Sequence, residues 1–457
     1  MRYVKNYALL TVGLLLTGSV SALSLQEAWE GAQVADREFA AAFADAEAGG
    51  KRRDQARALW LPSVSASTVS GRASNTSTTR DAGFAAPGFG VSRNVDFQTS
   101  INNGALNRWS VNAVQPVYNR DRLAQSRQLE ASADASEAGW IAAKQAAMLR
   151  TAERYLAVVQ AEAALKLAQG LQAAVDRALA EARERYRLGD KPVVDSHEAT
   201  ARAEVVRAQV LLAESELKLQ QQAFRDQVGR EPGDLWLPIK VAGEHPGPLE
   251  DWLQRAVSGN PTLRVLAAKW EAAKEEASRY SLAASPTVDI VAQSGRERLS
   301  GSGDYGGNAQ NELRSSMIGV QLSIPIFTGG LRSARHEEAL KLADKTQYEN
   351  ERAKQQVEHA TRAAWLGLTI GASRVAALEA GVKASAARLD ATRLGHKVGD
   401  RTMLDLLNAE NDASNAQLEL LKARSAMIGD RLRLAAMAGA LDEALLDEVG
   451  RRALARP

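Results

Sequence analysis

The sequence predicts an α+β membrane protein whose two halves repeat one plan of strands followed by a very long helical hairpin, and three observations predict it. Gly189, Asp190, Asp195 and Ala199 return as Gly399, Asp400, Asp405 and Ala409 after a shift of 210 residues. The alanine-rich stretches that precede these tips contain no proline between Pro116 and Pro192, and none between Pro325 and Pro457. Ile318, Val320, Leu322, Ile324 and Ile326 alternate with Gly319, Gln321, Ser323 and Pro325, the period of two that marks a strand.

Residues 1–22 have the pattern of a secretory signal: Arg2 and Lys5, an apolar stretch from Ala8 to Leu16, and Val20-Ser21-Ala22 before the expected cleavage site. That apolar stretch is too short for a membrane helix, and none later in the chain is long enough either. Without cysteine the chain can form no disulfide and carry no lipid on a cysteine. Loss of Arg2 and Lys5 leaves 55 basic against 55 acidic residues, a balance that argues against nucleic-acid binding.

The first repeat is assigned to 23–231 and the second to 249–457, with the Pro- and Gly-rich segment 232–248 as connector. Leu25 to Leu59 reads as one helix, 119–187 as a long helix, 188–192 as a tip and 193–228 as a returning helix. The second half reads as short helices near 249–258 and 262–282, a long helix over 331–394, a tip at 395–402, a return over 403–438 and a C-terminal tail. Ala, Leu, Glu, Arg, Lys and Gln dominate the long segments and favour helix. At ~1.5 Å per residue each rod is on the order of 100 Å long. Val158, Leu165, Leu179 and Tyr186, with Ala161, Ala168, Val175 and Ala182 three residues later, follow a heptad suited to close coiled-coil packing. Gly189 and Gly399 terminate the rods, and Thr402 is a candidate N-cap with Asp405 three residues on.

Four strands are expected, two per half: around Val64 to Ser70, Trp109 to Val117, Val288 to Gln293 and Ile318 to Ile326. Each has about the ~9 to 11 residues of a tilted membrane strand. The Ser-, Thr-, Asn- and Gly-rich stretches between them, 71–107 and 296–315, read as exposed loops. Four strands cannot close a barrel, and an open edge in lipid leaves main-chain groups unsatisfied at several kcal/mol each. The chain is therefore expected to oligomerise.

The duplicated plan, Leu61-Pro62 at the first strand, Pro116 and Ile324-Pro325-Ile326-Phe327 at strand ends, and the tips Gly189-x5-Asp195 and Gly399-x5-Asp405-x3-Ala409 resemble the TolC family of outer-membrane channel proteins. The resemblance covers essentially the whole chain after residue 22. It implies a homotrimer in the outer membrane, with a 12-stranded barrel continued by a periplasmic α-helical coiled-coil barrel. It further implies an exit duct for type I protein secretion or small-molecule efflux, working with a periplasmic adaptor and an inner-membrane ABC or proton-driven transporter. No cofactor is implied.

The resemblance also implies a periplasmic end closed by polar links near the tips. Asp195 matches the first-half aspartate of that link, Arg401 the second-half arginine and Asp405 an aspartate lining the constriction. His396 stands where a tyrosine is typical, and Asn408 where a second acidic residue can line the mouth. Leu188 and Val398, apolar beside the tip glycines Gly189 and Gly399, are candidates for adaptor contact. The plainer readings are that Asp195 and Asp405 only favour a helix N-terminus, and that Arg401 and His396 are solvated turn residues.

Gly301-Ser302-Gly303-Asp304-Tyr305-Gly306 matches a dinucleotide fingerprint in form only, because no crossover helix follows it. His336-Glu337-Glu338 lacks the second histidine of a zinc-protease helix, and no enzyme is expected. The competing reading is a non-channel periplasmic coiled-coil adaptor or scaffold, which accounts for the helices and tips but not for two pairs of amphipathic strands.

Overall fold

The computed structural model describes residues 23–189, 192–239, 246–282, 285–303 and 307–455. The signal segment 1–22, Asp190 and Lys191 of the first tip, residues 240–245 of the connector and the last three residues of the glycine fingerprint lie outside the described residues. In chain order the elements are α1 (Leu25–Ala35), α2 (Arg37–Ala58), β1 (Ser63–Ala86), β2 (Gly90–Asn119), α3 (Arg120–Arg187), α4 (Val193–Val228) and β3 (Leu237–Pro238). They continue with α5 (Leu249–Gly259), α6 (Pro261–Arg279), β4 (Thr287–Ser302), β5 (Asn308–Ser323), α7 (Leu331–Lys397), α8 (Met403–Met437), α9 (Glu443–Ala453) and β6 (Leu454–Ala455). Among the described residues no helix is long and apolar enough to cross a membrane.

One compact unit comprises 48–135 and 266–349 and holds the main sheet. Its order is β1-β2-β4-β5, every pair antiparallel, so β1 and β5 are edges. The strands run 24, 30, 16 and 16 residues, longer than the sequence suggests. The segments expected as loops, 71–107 and 296–315, are for the most part strand, and the β1–β2 turn occupies only 87–89. Ser, Thr, Asn and Gly give no apolar alternation, yet an antiparallel ribbon is held by main-chain pairing that does not require it. In the other direction β5 stops at Ser323, before Ile324-Pro325-Ile326-Phe327, where proline has no N–H to give a ladder.

Where strands give way to helices, the Arg332 guanidinium donates to Asp121 at 2.8 Å and to the carbonyls of Leu282 and Arg279, both at 2.5 Å. Burial pushes the Asp121 carboxyl up, but Arg332 outweighs it and holds the group below its ordinary range. One guanidinium thereby joins the starts of α3 and α7 to the end of α6.

The other unit comprises 23–47, 136–265 and 350–455. Its largest core gathers Trp29, Tyr155, Phe224, Ile428, Leu432 and Leu446 from α1, α3, α4, α8 and α9. The Tyr155 hydroxyl donates to the Leu23 carbonyl at 2.7 Å and accepts from the Trp236 N–H at 2.6 Å, which satisfies its one polar atom. Leu25 to Leu59 is two helices, because Asp36 leaves α1 in extended conformation and its Oδ1 accepts from the N–H groups of Glu38 and Phe39 as the cap of α2. Asn260 does the same between α5 and α6, accepting from Thr262 and Leu263. A side chain that can satisfy free N–H groups makes such a break inexpensive.

Candidate functional site

The helical hairpins α3–α4 and α7–α8 end in tips built on the same backbone device. Gly189 has φ +77° and Gly399 φ +84°, a conformation that costs side-chain-bearing residues and that lets the chain leave each rod. The Gly189 N–H donates to the Tyr186 carbonyl at 3.0 Å and the Gly399 N–H to the His396 carbonyl at 3.2 Å.

Beyond the glycines the tips diverge. Thr402 caps α8 through a closed capping box: its hydroxyl accepts from the Asp405 N–H at 3.1 Å, while Asp405 Oδ2 accepts from the Thr402 N–H at 3.0 Å and its hydroxyl at 2.8 Å. The Thr402 main-chain bond first, then its hydroxyl, holds the Asp405 carboxyl below its ordinary range, with smaller pulls from Arg401 and Arg388. In the first tip Pro192 is the cap, and it offers neither a hydroxyl nor an N–H. Asp195, at the matching position, therefore makes only its main-chain bond to the Pro192 carbonyl at 3.3 Å, and its carboxylate makes no hydrogen bond or ion pair among the described residues.

The two tips share a groove of about 530 Å³. The first hairpin lines it with Glu181, Arg185, Asp195, Glu198 and Arg202, and the second with His396, Lys397, Val398, Gly399, Asp400, Arg401 and Thr402. Asp195, Arg401 and His396, named from the sequence, are thus brought together, although no ion pair joins Asp195 to Arg401 within the chain. Asp405 and Asn408 lie outside the groove lining, and so do Leu188 and Gly189. Asn408 is exposed, as are Leu188 at 67% and Val398 at 73%; Val398 borders the groove and Leu188 does not.

Three residues not singled out from the sequence shape this end. Gly395 accepts from the N–H groups of Asp400 and Arg401 at 2.9 and 3.3 Å, and a side chain there would meet Arg401 Cγ at 2.7 Å. Its lack of a side chain is what lets the Arg401 stem lie across the helix end; the glycine next to His396 was the only signal. Arg202 lines the groove and has a buried Nε with no hydrogen-bond partner among the described residues, a feature with no sequence motif. Leu407, 3% exposed, inserts from α8 among Leu171, Val175, Ala203 and Val206, which fastens the second hairpin to the first directly beneath the groove.

With four acidic and four basic side chains besides His396, the groove is charged but balanced. Such an arrangement can form and break polar links. Among the described residues no three His, Cys, Asp or Glu side chains are placed to hold a metal ion.

Residues 30–230 and 252–440 match the outer membrane efflux protein family. The chain belongs to that family. It is an outer-membrane exit duct for efflux or type I secretion, with a large periplasmic helical extension. Channels of this family work with adaptors and inner-membrane transporters in tripartite systems. Among relatives, the alkaline protease secretion protein AprF of Pseudomonas aeruginosa is 26% identical over 452 residues, covering 95% of this chain and 88% of the relative. The outer membrane protein TolC of Vibrio cholerae is 26% identical over 344 residues, covering 73% and 76%. The crystal structure of the Campylobacter jejuni CmeC outer membrane channel superposes with a TM-score of 0.74 at 15% identity, over 99% of this chain and 98% of that one. The family is one of channels rather than enzymes.

Proposed function

We propose that three copies of this duct protein close their sheets into one 12-stranded barrel, that the two halves of each chain are structural repeats, and that the tip groove forms the periplasmic gate. The edges carry this reading: β1 and β5 each present an unpaired row of main-chain groups, and Ile318, Val320 and Leu322 on β5 are 79, 72 and 61% exposed. The unpaired main chain calls for the β1 edge of a second copy, and the exposed apolar side chains of β5 suit contact with lipid. Exposed Leu211, Leu212 and Leu219 on α4 and Ile370 and Leu394 on α7 likewise suit burial between copies.

In the gate, Asp195 and Arg401 supply the charged link, and His396 lies in the same groove. The second oxygen of Asp405, left unused by the cap, faces the constriction with Asn408 beside it. Leu188, Gly189, Val398 and Gly399 form the surface offered to a periplasmic adaptor, which brings an inner-membrane ABC or proton-driven transporter. A few partly exposed links at ~0 to 1 kcal/mol each hold the resting state and yield to a docked partner.

Light scattering of the detergent-extracted protein, followed by planar-bilayer recording, tests this. The expected result is a particle of three chains giving discrete channels of low resting conductance. A monomer without channel activity that stays out of the membrane fraction would instead support the adaptor or scaffold reading.

A further inference from the structure

Strand register divides the sheet into two faces. Val64, Ala113, Ala292 and Ile318 share one row of the first face; Ile290 with Val320 and Val288 with Leu322 continue it toward the strand ends that join the helices. This apolar band is the lipid-facing side, since the opposite face carries Ser63, Ser65, Asn112, Gln293 and Gln321. Toward the hairpin turns, and therefore toward the cell exterior, the same lipid-facing side changes character. One row of small residues and Val111 intervenes (Ala66, Val111, Ser294 and Ser316); beyond it come Trp109, Arg296 and Arg314, then Arg298 and Glu312, then Arg72 on the β1 edge.

Arginine on the lipid side of a barrel is tolerated near the interface and not in hydrocarbon, and Trp109 is the residue type that marks that interface. Glu312 lies between two of the guanidiniums, accepting from Arg296 at 2.5 Å and Arg314 at 2.8 Å, and so fixes their positions. Arg298 donates to the neutral Gln310 at 3.0 Å. Arg296 and Arg314 share one carboxylate, Arg298 has none, and the Arg314 side chain remains 73% exposed.

We propose that Arg296, Arg298 and Arg314, on the adjacent strands β4 and β5, form a binding site for a phosphorylated lipid headgroup of the outer leaflet. The site has the fixed cationic forks that phosphate oxygens accept in pairs, directly above a surface that seats acyl chains. The opposite face has no comparable feature at this height: Arg108 is neutralised by Glu297 at 2.7 Å.

The inference rests on the barrel reading above, and one experiment separates the two. The full chain is reconstituted in phosphatidylcholine vesicles containing bis-phosphorylated lipid A or its dephosphorylated form, and retained lipid is counted by native mass spectrometry. The wild type is expected to prefer the phosphorylated lipid by about tenfold, as paired guanidinium–phosphate contacts allow. The triple variant Arg296→Gln, Arg298→Gln, Arg314→Gln is expected to lose that preference, while Arg108→Gln keeps it. Arg298→Gln alone breaks no ion pair, and is expected to weaken retention roughly threefold even if the triple variant fails to assemble. Equal retention of the dephosphorylated lipid, full retention by Arg298→Gln, or displacement by millimolar inorganic phosphate would overturn the site. Failure of the wild-type chain to insert at all would overturn the barrel reading and the site with it.

Discussion

The two hairpin tips share a glycine, a spacing and an aspartate, yet they use the aspartate in opposite ways. Asp405 is engaged by its own helix terminus through the Thr402 capping box; Asp195, behind Pro192, makes no side-chain bond among the described residues. The hairpins behind them differ in the same sense. Near the first tip, between 171–187 and 193–210, the helices meet through Leu171, Val175, Ala203 and Val206 without an ion pair joining them. The second is laced by Arg388–Asp412 at 2.8 Å, Arg393–Glu410 at 3.2 Å and Arg424–Glu379 at 2.9 Å. The second hairpin is thus tied across its own helices by ion pairs, while Asp195 of the first and Arg401 of the second remain for a reversible link between them.

The largest test of that division removes what joins the halves. Leu407→Ala should cost about 2 to 5 kcal/mol as a buried large-to-small change, read as a lowered denaturant midpoint, because its cavity opens between α8 and the first hairpin. Thr402→Ala should destabilise α8 by about 1 kcal/mol, whereas Pro192→Ala should be close to neutral; equal losses in thermal unfolding would erase the contrast between the caps. Arg401→Ala and Asp195→Ala, which touch the proposed link, are each expected to raise resting conductance by up to about fivefold, the equivalent of ~1 kcal/mol. Unchanged conductance in planar bilayers would remove both from the gate. Arg388→Ala should have the smallest effect, under about 1 kcal/mol and vanishing near 1 M salt, where the screening length is about 3 Å.

Acidification discriminates the tips in another way. The Asp405 carboxyl lies below its ordinary value in the folded chain, so the unfolded chain binds its proton more tightly. The stability it contributes is complete above the ordinary aspartate value of about 3.9 and is lost as pH falls through the lower folded value. Hydrogen-exchange protection at the start of α8 should therefore fall below about pH 4 in the wild type and be insensitive to that step in Asp405→Asn. Identical acid profiles for the two proteins would disconnect the capping box from tip stability.

How far the sequence could be read depended on the range of the interactions involved. Gly189, Gly399 and the Thr402–Asp405 box were legible because a helix terminus is decided within a few residues. Asp36 was not recognised as a break, since a capping aspartate among good helix formers leaves no trace beyond one polar residue; its Arg150 partner at 2.7 Å lies 114 positions away. The polar strand residues in 71–107 resemble loop for a related reason, because pairing such as Ser77 with Thr99 or Thr78 with Gln98 across the ribbon is invisible to local periodicity.

The sequence by itself determined the rods, the tips and the apolar alternation of β5, all set by main-chain propensity and by spacing along one element. Only the tertiary structure decided that β2 lies beside β4, that Asp195, His396 and Arg401 line one groove, and that Gly395 makes room for the arginine stem. Those outcomes depend on which surfaces meet after some two hundred intervening residues have folded. Complementary packing selects such pairings, and no local pattern encodes them.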